Sequence, residues 1–464
     1  MGSIRRTHSE HLSTAEVPRG QREALAVSGG CLGGPARRYV ATALGALAAL
    51  ALGVLVPAAA QAAAPTTLYV SQGGLDSGTC TSSASPCATV SYALTQAASG
   101  ATIEVSGTID DHLSISSPVT ITTWPGGPAG SPAVLDGSAS GTVVRVNVAG
   151  VTINDLTIEH GALGLFNSEG GLTLTDSTVS GNATLAEPYA GILNYYGSTT
   201  TVIDSTITKN SGDSSTSVGA GIYNIGTMTV IASTISGNTG GGIYSGQGDT
   251  ATLGATIVAG NTAANCYAYD AASLSSAGYN LTNDTNGSAC AFTAATDLVN
   301  QNPLLGPLAS NGGPTQTLLP GTTSPAADVI PGSVTLRGVA VCPGTDQRGV
   351  ARPGQGETRC TIGAAEAGLT NPTTVSVTVK PTTVAAGTRV VYLVVVTPGS
   401  GTGTPTGTIS LTTGSTTLCT AVLSGGVAAC GATNAPAGTD TVTGTYSGGG
   451  GYASSSGTAT LTVT

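Results

Sequence analysis

Three aspartates, Asp155, Asp176 and Asp204, occupy the same place in successive copies of an internal repeat, VTINDLTIEHG, LTLTDSTVSGN and TVIDSTITKN, and Ala232 ends the run in MTVIASTISGN. If each copy is one coil of a stack, neighbouring carboxylates lie about 4.8 Å apart. They then repel by roughly 0.9 kcal/mol per pair even at the dielectric constant of water. Three arrangements relieve that repulsion. The side chains turn into solvent and cap turn amides, a calcium ion bridges them, or one holds a proton as a catalytic acid. Calcium at Asp155, Asp176 and Asp204 is the only cofactor these residues suggest. Asp155 and Asp204, two coils apart, would stand about 10 Å apart at the backbone, near the upper limit for an inverting glycosidase pair.

The surroundings of these carboxylates weigh against that chemistry. Between Val151 and Asn300 the only basic side chains are His160 and Lys209, which read as solvated turn residues. The pair Asp110 and Asp111 sits in no hydrolase pattern, and there is no GxSxG elbow, HExxH motif, phosphate loop or EF-hand. Asp346, Arg348 and Arg352 read as a local ion-pair and turn network closing the solenoid. A second group points to binding. Tyr189, Tyr195, Tyr196, Tyr223 and Tyr244 cluster around the motifs GILN, GIYN and GIYS. Tyr195, Tyr223 and Tyr244 are the ligand candidates, as an exposed strip suited to sugar faces; packing against adjacent loops is the other reading.

The elements that must position these side chains are legible in the repeat. Asn182, Asn210 and Asn238 recur every 28 residues and Asn261 follows after 23. A period in this range, built of short β-branched runs broken by Gly and Asn, marks a solenoid whose units rest on the coils above and below. Ile158, Val179, Ile207, Ile235 and Val258 then form an inward aliphatic column. Asn182, Asn210, Asn238 and Asn261 form one amide ladder, and Asn167, Asn194 and Asn224 another, both structural.

Composition agrees with an all-β chain. The 464 residues include 68 Gly and 23 Pro, with 8% charged and 4% aromatic residues and a formal charge of −10. The first 62 residues read as an export signal, with a basic stretch ending at Arg38, an apolar run from Val40 to Val56 and an Ala60-Gln61-Ala62 cleavage pattern. Six of the 14 basic and three of the 24 acidic residues precede residue 63, so the remainder carries 8 against 21, a net −13. Such a chain has no charge affinity for nucleic acid or for anionic membrane after cleavage. Eight cysteines remain, in the close couples Cys80 with Cys87, Cys266 with Cys290, Cys342 with Cys360, and Cys419 with Cys430. An even count in an exported chain favours local disulfides, and the last couple, flanking Leu423 to Gly426, reads as a hairpin staple.

The units of the form GGGIYN…TMTVIASTISGN resemble the repeats of right-handed parallel β-helix proteins of the pectate-lyase-like superfamily, over roughly Thr67 to Ala367. The opening Leu68-Tyr69-Val70-Ser71 and the stretch ATVSYALTQAASGATIEV resemble their N-terminal cap, with a short helix at about Val90 to Ala98. The run from NPLLGPLASNGGPTQT through DQRGVARP to CTIGAAE resembles the C-terminal part of the choice-of-anchor Q group of surface proteins. From about Thr370, VSVTVKPTTVAAGTRVVYLVVV and GTYSGGGGYASSSGTATLTV resemble the bacterial immunoglobulin-like repeat domain.

The expected organisation is therefore an export signal at 1–62, a right-handed parallel β-helix with caps at 63–367, and an immunoglobulin-like β-sandwich at 370–464. The resemblance implies a secreted or cell-surface adhesin that binds carbohydrate without catalysis. Its partners would be extracellular or cell-wall glycans, or a host or cell-surface protein. A polysaccharide lyase or glycoside hydrolase acting on acidic polysaccharide, and a structural spacer, are the alternatives. Oligomeric state is not legible.

Overall fold

A computed structural model describes residues 66–464, except 129–132, 214–218, 271–272, 286–287, 355–356, 369–370, 400–402 and 450–451. The expected export signal lies outside the described residues. Among them the chain is nearly all β. The one α-helix, Val90–Gln96, caps the first coil, and no helix is long and apolar enough to cross a membrane.

Three parallel sheets run the length of a β-helix. Sheet 1 has nine strands, from Thr67–Ser71 to Leu274–Gly278. Sheet 2 has eight, from Thr108–Asp110 to Leu281–Thr282, and sheet 3 has seven, from Leu113–Ile115 to Cys266–Ala268. A single coil shows the winding: Ala149–Asn154 lies in sheet 1, Leu156–Glu159 in sheet 2 and Leu163–Asn167 in sheet 3. The period-two alternation of each strand sends every second side chain inward. Ile158, Val179, Ile207, Ile235 and Val258 are in register in sheet 2 and fully buried.

The corners follow from single residues. Sheet 1 turns into sheet 2 through one residue in the left-handed region, Asp155 (φ 56°), Asp176 (49°), Asp204 (43°), Ala232 (47°) or Ala255 (51°). Asp tolerates this conformation better than most side chains. Sheet 2 turns into sheet 3 through His160, Gly181, Lys209, Gly237 and Gly260, also at positive φ. Immediately after that second corner stands the asparagine ladder. Asn182 Nδ2 donates to Asn210 Oδ1 at 2.9 Å, Asn210 to Asn238 at 3.0 Å and Asn238 to Asn261 at 2.9 Å. A second ladder runs Asn167 to Asn194 to Asn224 and ends on Ser245 Oγ. A third, not anticipated from the repeats, links backbone N–H groups to hydroxyls at the first corner. Leu156 N donates to Ser177 Oγ, Ser177 N to Ser205 Oγ and Ser205 N to Ser233 Oγ, each at 3.2 Å.

The sandwich that follows has a three-stranded sheet (Thr373–Lys380, Val390–Pro398, Val427–Ala432) and a five-stranded sheet (Thr383–Val384, Thr408–Thr413, Thr416–Val422, Gly438–Tyr446, Ser455–Val463). Tyr392, Val394, Ile409, Val442 and Leu461 fill its interior. The four cysteine couples are all bridged. The Cys419–Cys430 bridge is not a hairpin staple, however: Thr416–Val422 and Val427–Ala432 belong to different sheets, so the bridge ties the two sheets together.

Candidate functional site

The acidic column forms, and it is closed. Asp155, Asp176 and Asp204 lie on three successive corners, but the segment after the β-helix runs back over them. Thr315 Oγ1 donates to Asp176 O at 2.9 Å and Thr178 Oγ1 to Gln316 O at 2.6 Å. Gln347 Nε2 donates to Ser177 O at 3.2 Å, and its Oε1 accepts from Thr206 Oγ1 at 2.6 Å. Ala364 N donates to Thr234 Oγ1 at 3.0 Å. This cover brings a fully buried guanidinium, Arg352, whose Nη2 lies 3.4 Å from Asp204 Oδ1 and whose Nε lies 3.5 Å from Glu366 Oε1.

Burial pushes Asp155 up to about 6. Burial and the neighbouring carboxylates of Asp204 and Asp155 push Asp176 up to about 8, and burial outweighs Arg352 in raising Asp204 to about 7. Two expectations are corrected here. Instead of splaying freely into solvent, the column is partly covered, burial pushes its carboxyls upward, and Arg352 faces Asp204. Nor do the three carboxylates converge as calcium ligands: among the described residues, the one group of three acidic or imidazole side chains close enough to share an ion is elsewhere. The network of Asp346, Arg348 and Arg352 closes the solenoid as expected, but it is buried rather than an exposed ion pair. Arg348 Nη2 meets Asp346 Oδ2 at 2.6 Å with both side chains fully buried, and Arg352 is the clamp that docks the cover.

The aromatic residues come together on the opposite kind of surface, the outward face of sheet 3. Register aligns Ser114, Arg145, Phe166, Leu193, Tyr223, Tyr244 and Tyr267 in one column. Strand spacing of about 4.8 Å stretches Arg145 to Tyr267 over about 24 Å. Tyr223 and Tyr244 stack with ring centres 4.4 Å apart and Tyr244 and Tyr267 at 5.6 Å, with interplanar angles of 20° and 19°. In such a stack each ring face is covered by its neighbour, so what Tyr223 and Tyr244 present outward is a row of edges and hydroxyls rather than sugar-stacking faces. Burial and the adjacent phenols push Tyr244 up to about 12, so its hydroxyl remains a donor.

Free ring faces occur at the other end of the column. Tyr195, just past its strand and 42% exposed, meets Phe166 edge-on at 5.9 Å, and Tyr196, 62% exposed, meets Tyr195 edge-on at 5.2 Å. The Arg145 guanidinium lies 4.6 Å above the Phe166 ring, a cation–π contact. Tyr189 stands edge-on to Tyr223 at 5.5 Å, and burial together with the Glu187 carboxylate pushes its hydroxyl up. Arg145, Phe166, Glu187, Tyr189, Leu193 and Tyr195 line a groove of about 410 Å³. It offers aromatic faces, one cation and one carboxylate, a set that suits a hydroxylated ligand with an apolar face.

Sequence reasoning missed Arg145, Phe166 and Tyr267 as partners in this column. Arg145 precedes the recognisable repeats, and Tyr267 lies in a degraded copy, Asn265-Cys266-Tyr267. The signal was the residue preceding Asn in GLFN, GILN and GIYN: Phe166, Leu193 and Tyr223 are successive rungs.

Residues 377–464 match the family model of the bacterial Ig-like domain, group 3. No curated protein matches the chain. Among solved structures the chain is similar to the crystal structure of pectate lyase Pel9A, with 12% sequence identity and a TM-score of 0.39, over 65% of this chain and 96% of that one. The chain thus carries, after its parallel β-helix, a member of the bacterial Ig-like domains at residues 377–464.

Proposed function

We propose that the protein is an exported glycan-binding protein of the cell surface, which recognises a polysaccharide chain along the outward face of sheet 3. The observation that carries this reading is the continuity of the groove at Arg145, Phe166 and Tyr195 with the hydroxyl row of Tyr223, Tyr244 and Tyr267. Four disulfides and a bacterial Ig-like domain suit an extracellular setting. In this reading the β-helix holds the strip rigid, and the sandwich extends or spaces it.

The β-helix is a good scaffold for this purpose because its rungs are fixed by backbone ladders and by buried asparagines. Ligand hydroxyls therefore meet donors whose spacing does not have to be ordered on binding. The groove is lined by one cation, Arg145, and one carboxylate, Glu187, a balance that favours neutral or weakly charged sugars over strongly acidic ones.

The test is a panel of soluble neutral and acidic polysaccharides presented to the protein, with binding measured alongside release of unsaturated or reducing-end products. The reading expects retention of a neutral glycan without product, reduced at least tenfold in the double variant Tyr195→Ala and Phe166→Ala. Product release, or binding unchanged in that variant, would overturn it.

A further inference from the structure

Where sheet 2 turns into sheet 3 on the coils of Asp136 and Glu159, three metal-ligating groups converge. We propose that Asp136, Glu159 and His160 bind a divalent transition-metal ion of the zinc class. His160 Nδ1 lies 3.0 Å from Asp136 Oδ2 and 3.9 Å from Glu159 Oε1, and one donor atom of each residue lies within 4.8 Å of the other two. Metal–ligand bonds of about 2.0–2.2 Å in tetrahedral geometry put donor atoms roughly 3.4 Å apart. The two observed separations straddle that value, so small side-chain movements suffice.

The remaining features complete an open site. Ser138 N donates to Asp136 Oδ1 at 2.7 Å, which orients the carboxylate and leaves Oδ2 turned toward the imidazole. Outer partners of this kind fix ligand direction in metal sites. In front of Asp136 and His160 is a concavity of about 400 Å³, lined also by the small residues Gly161, Gly181 and Ala183, with room for water or a ligand in the open positions. Gly181 lies against the imidazole edge away from Nδ1, where a Cβ would stand 3.4 Å from His160 Cδ2 and 3.7 Å from its Nε2.

The rest of the β-helix serves as an internal control. Register places Asp110, Asp136, Glu159, Ser180, Thr208 and Ser236 in one outward column of sheet 2. The corner residue that is His160 on this coil is Gly181, Lys209 and Gly237 on the next three. Asp110, Asp111 and His112 follow one another on the preceding coil, but among the described residues two carboxylates and an imidazole bring their donor atoms within 4.8 Å of one another only at Asp136, Glu159 and His160. Donor type selects the ion. Calcium takes 6–8 oxygen ligands, while two carboxylates and one imidazole are a borderline set that suits zinc, nickel or cobalt.

The experiment titrates the metal-stripped protein with Zn²⁺ by calorimetry and with Co²⁺ by visible absorption, and requires no glycan. The expected result is about one equivalent bound, a cobalt d–d spectrum, and affinity lowered at least tenfold in His160→Gln and in Glu159→Gln. Asp110→Asn, on the same column but outside the triad, should bind like the parent. Circular dichroism verifies folding of each variant, and the two triad variants provide independent readings. Absence of Zn²⁺ binding, affinity unchanged by both triad substitutions, or a preference for Ca²⁺ would show an ordinary ion pair and overturn the proposal.

Discussion

Two columns of the same β-helix, built by the same repetition, have opposite fates. At the corner between sheets 1 and 2, Asp155, Asp176 and Asp204 stack like charges, and the chain covers them with its own C-terminal segment and Arg352. On the face of sheet 3, Tyr223, Tyr244 and Tyr267 stack aromatic rings that attract one another, Phe166 lies two rungs away beyond Leu193, and that face is left open. A stacked column amplifies whatever one rung does. Repulsion repeated at each coil demands a partner, which here becomes the lock for the cap. Attraction repeated at each coil makes a rigid surface that is free to meet a ligand.

The largest expected effect is on the closed column. Arg352→Ala leaves Asp204 and Glu366 buried without their cation, and loss of one partner of a buried pair costs about 3–5 kcal/mol. Chemical denaturation should show that loss, with the β-helix cap opening before the sandwich. Replacement without loss of stability would mean that the cover does not depend on the clamp.

Asp176→Asn should act in the opposite direction. The carboxyl of Asp176 is raised from 3.8 to about 8 in the folded chain. Its protonated form therefore contributes stability that is fully present below about pH 4 and lost progressively as pH rises to about 8. An Asn needs no proton, so the variant should be more stable than the parent at pH 8. Melting curves between pH 4 and 9 should be steep for the parent and flatter for the variant. Parallel curves would contradict the account of the column.

A smaller loss is expected from Asn210→Ala. It removes an acceptor used by both Asn182 N and Asn182 Nδ2, and a donor to Val179 O and Asn238 Oδ1, all buried. Unsatisfied buried groups cost about 1–3 kcal/mol, so roughly 2 kcal/mol is expected by denaturation. The same change at Asn261, at the end of the ladder, should cost less. On the open column, Tyr267→Ala should change stability by no more than about 0.5 kcal/mol, as for an ordinary surface position. A loss as large as that at Asn210 would mean that the tyrosines serve the fold rather than a ligand.

The physical reason these columns differ also explains what could be read in advance. Strand order, the inward Ile158 to Val258 column and both asparagine ladders follow from period alone, because parallel stacking brings equal positions together. The alignment of Asp155, Asp176 and Asp204 was legible for the same reason. What covers them was not, since Thr315, Gln347 and Arg352 lie well over a hundred residues away and repeat nothing. The triad of Asp136, Glu159 and His160 escaped notice because Asp136 precedes the recognisable units, so no comparison of copies draws attention to it. The Cys419–Cys430 couple shows a related limit. A short loop looks like a hairpin, yet the chain crosses there from one sheet to the other.

The central claim is that the open face of sheet 3 reads a polymer rung by rung, and a length series tests it most directly. Calorimetric affinity for oligosaccharides of increasing length, drawn from whichever glycan the protein retains, should climb with each added sugar until the strip of about 24 Å is filled, then level off. In Tyr244→Ala, which interrupts the strip, the climb should stop at shorter oligomers. Affinity independent of length, or a series that Tyr244→Ala leaves unchanged, would contradict the account.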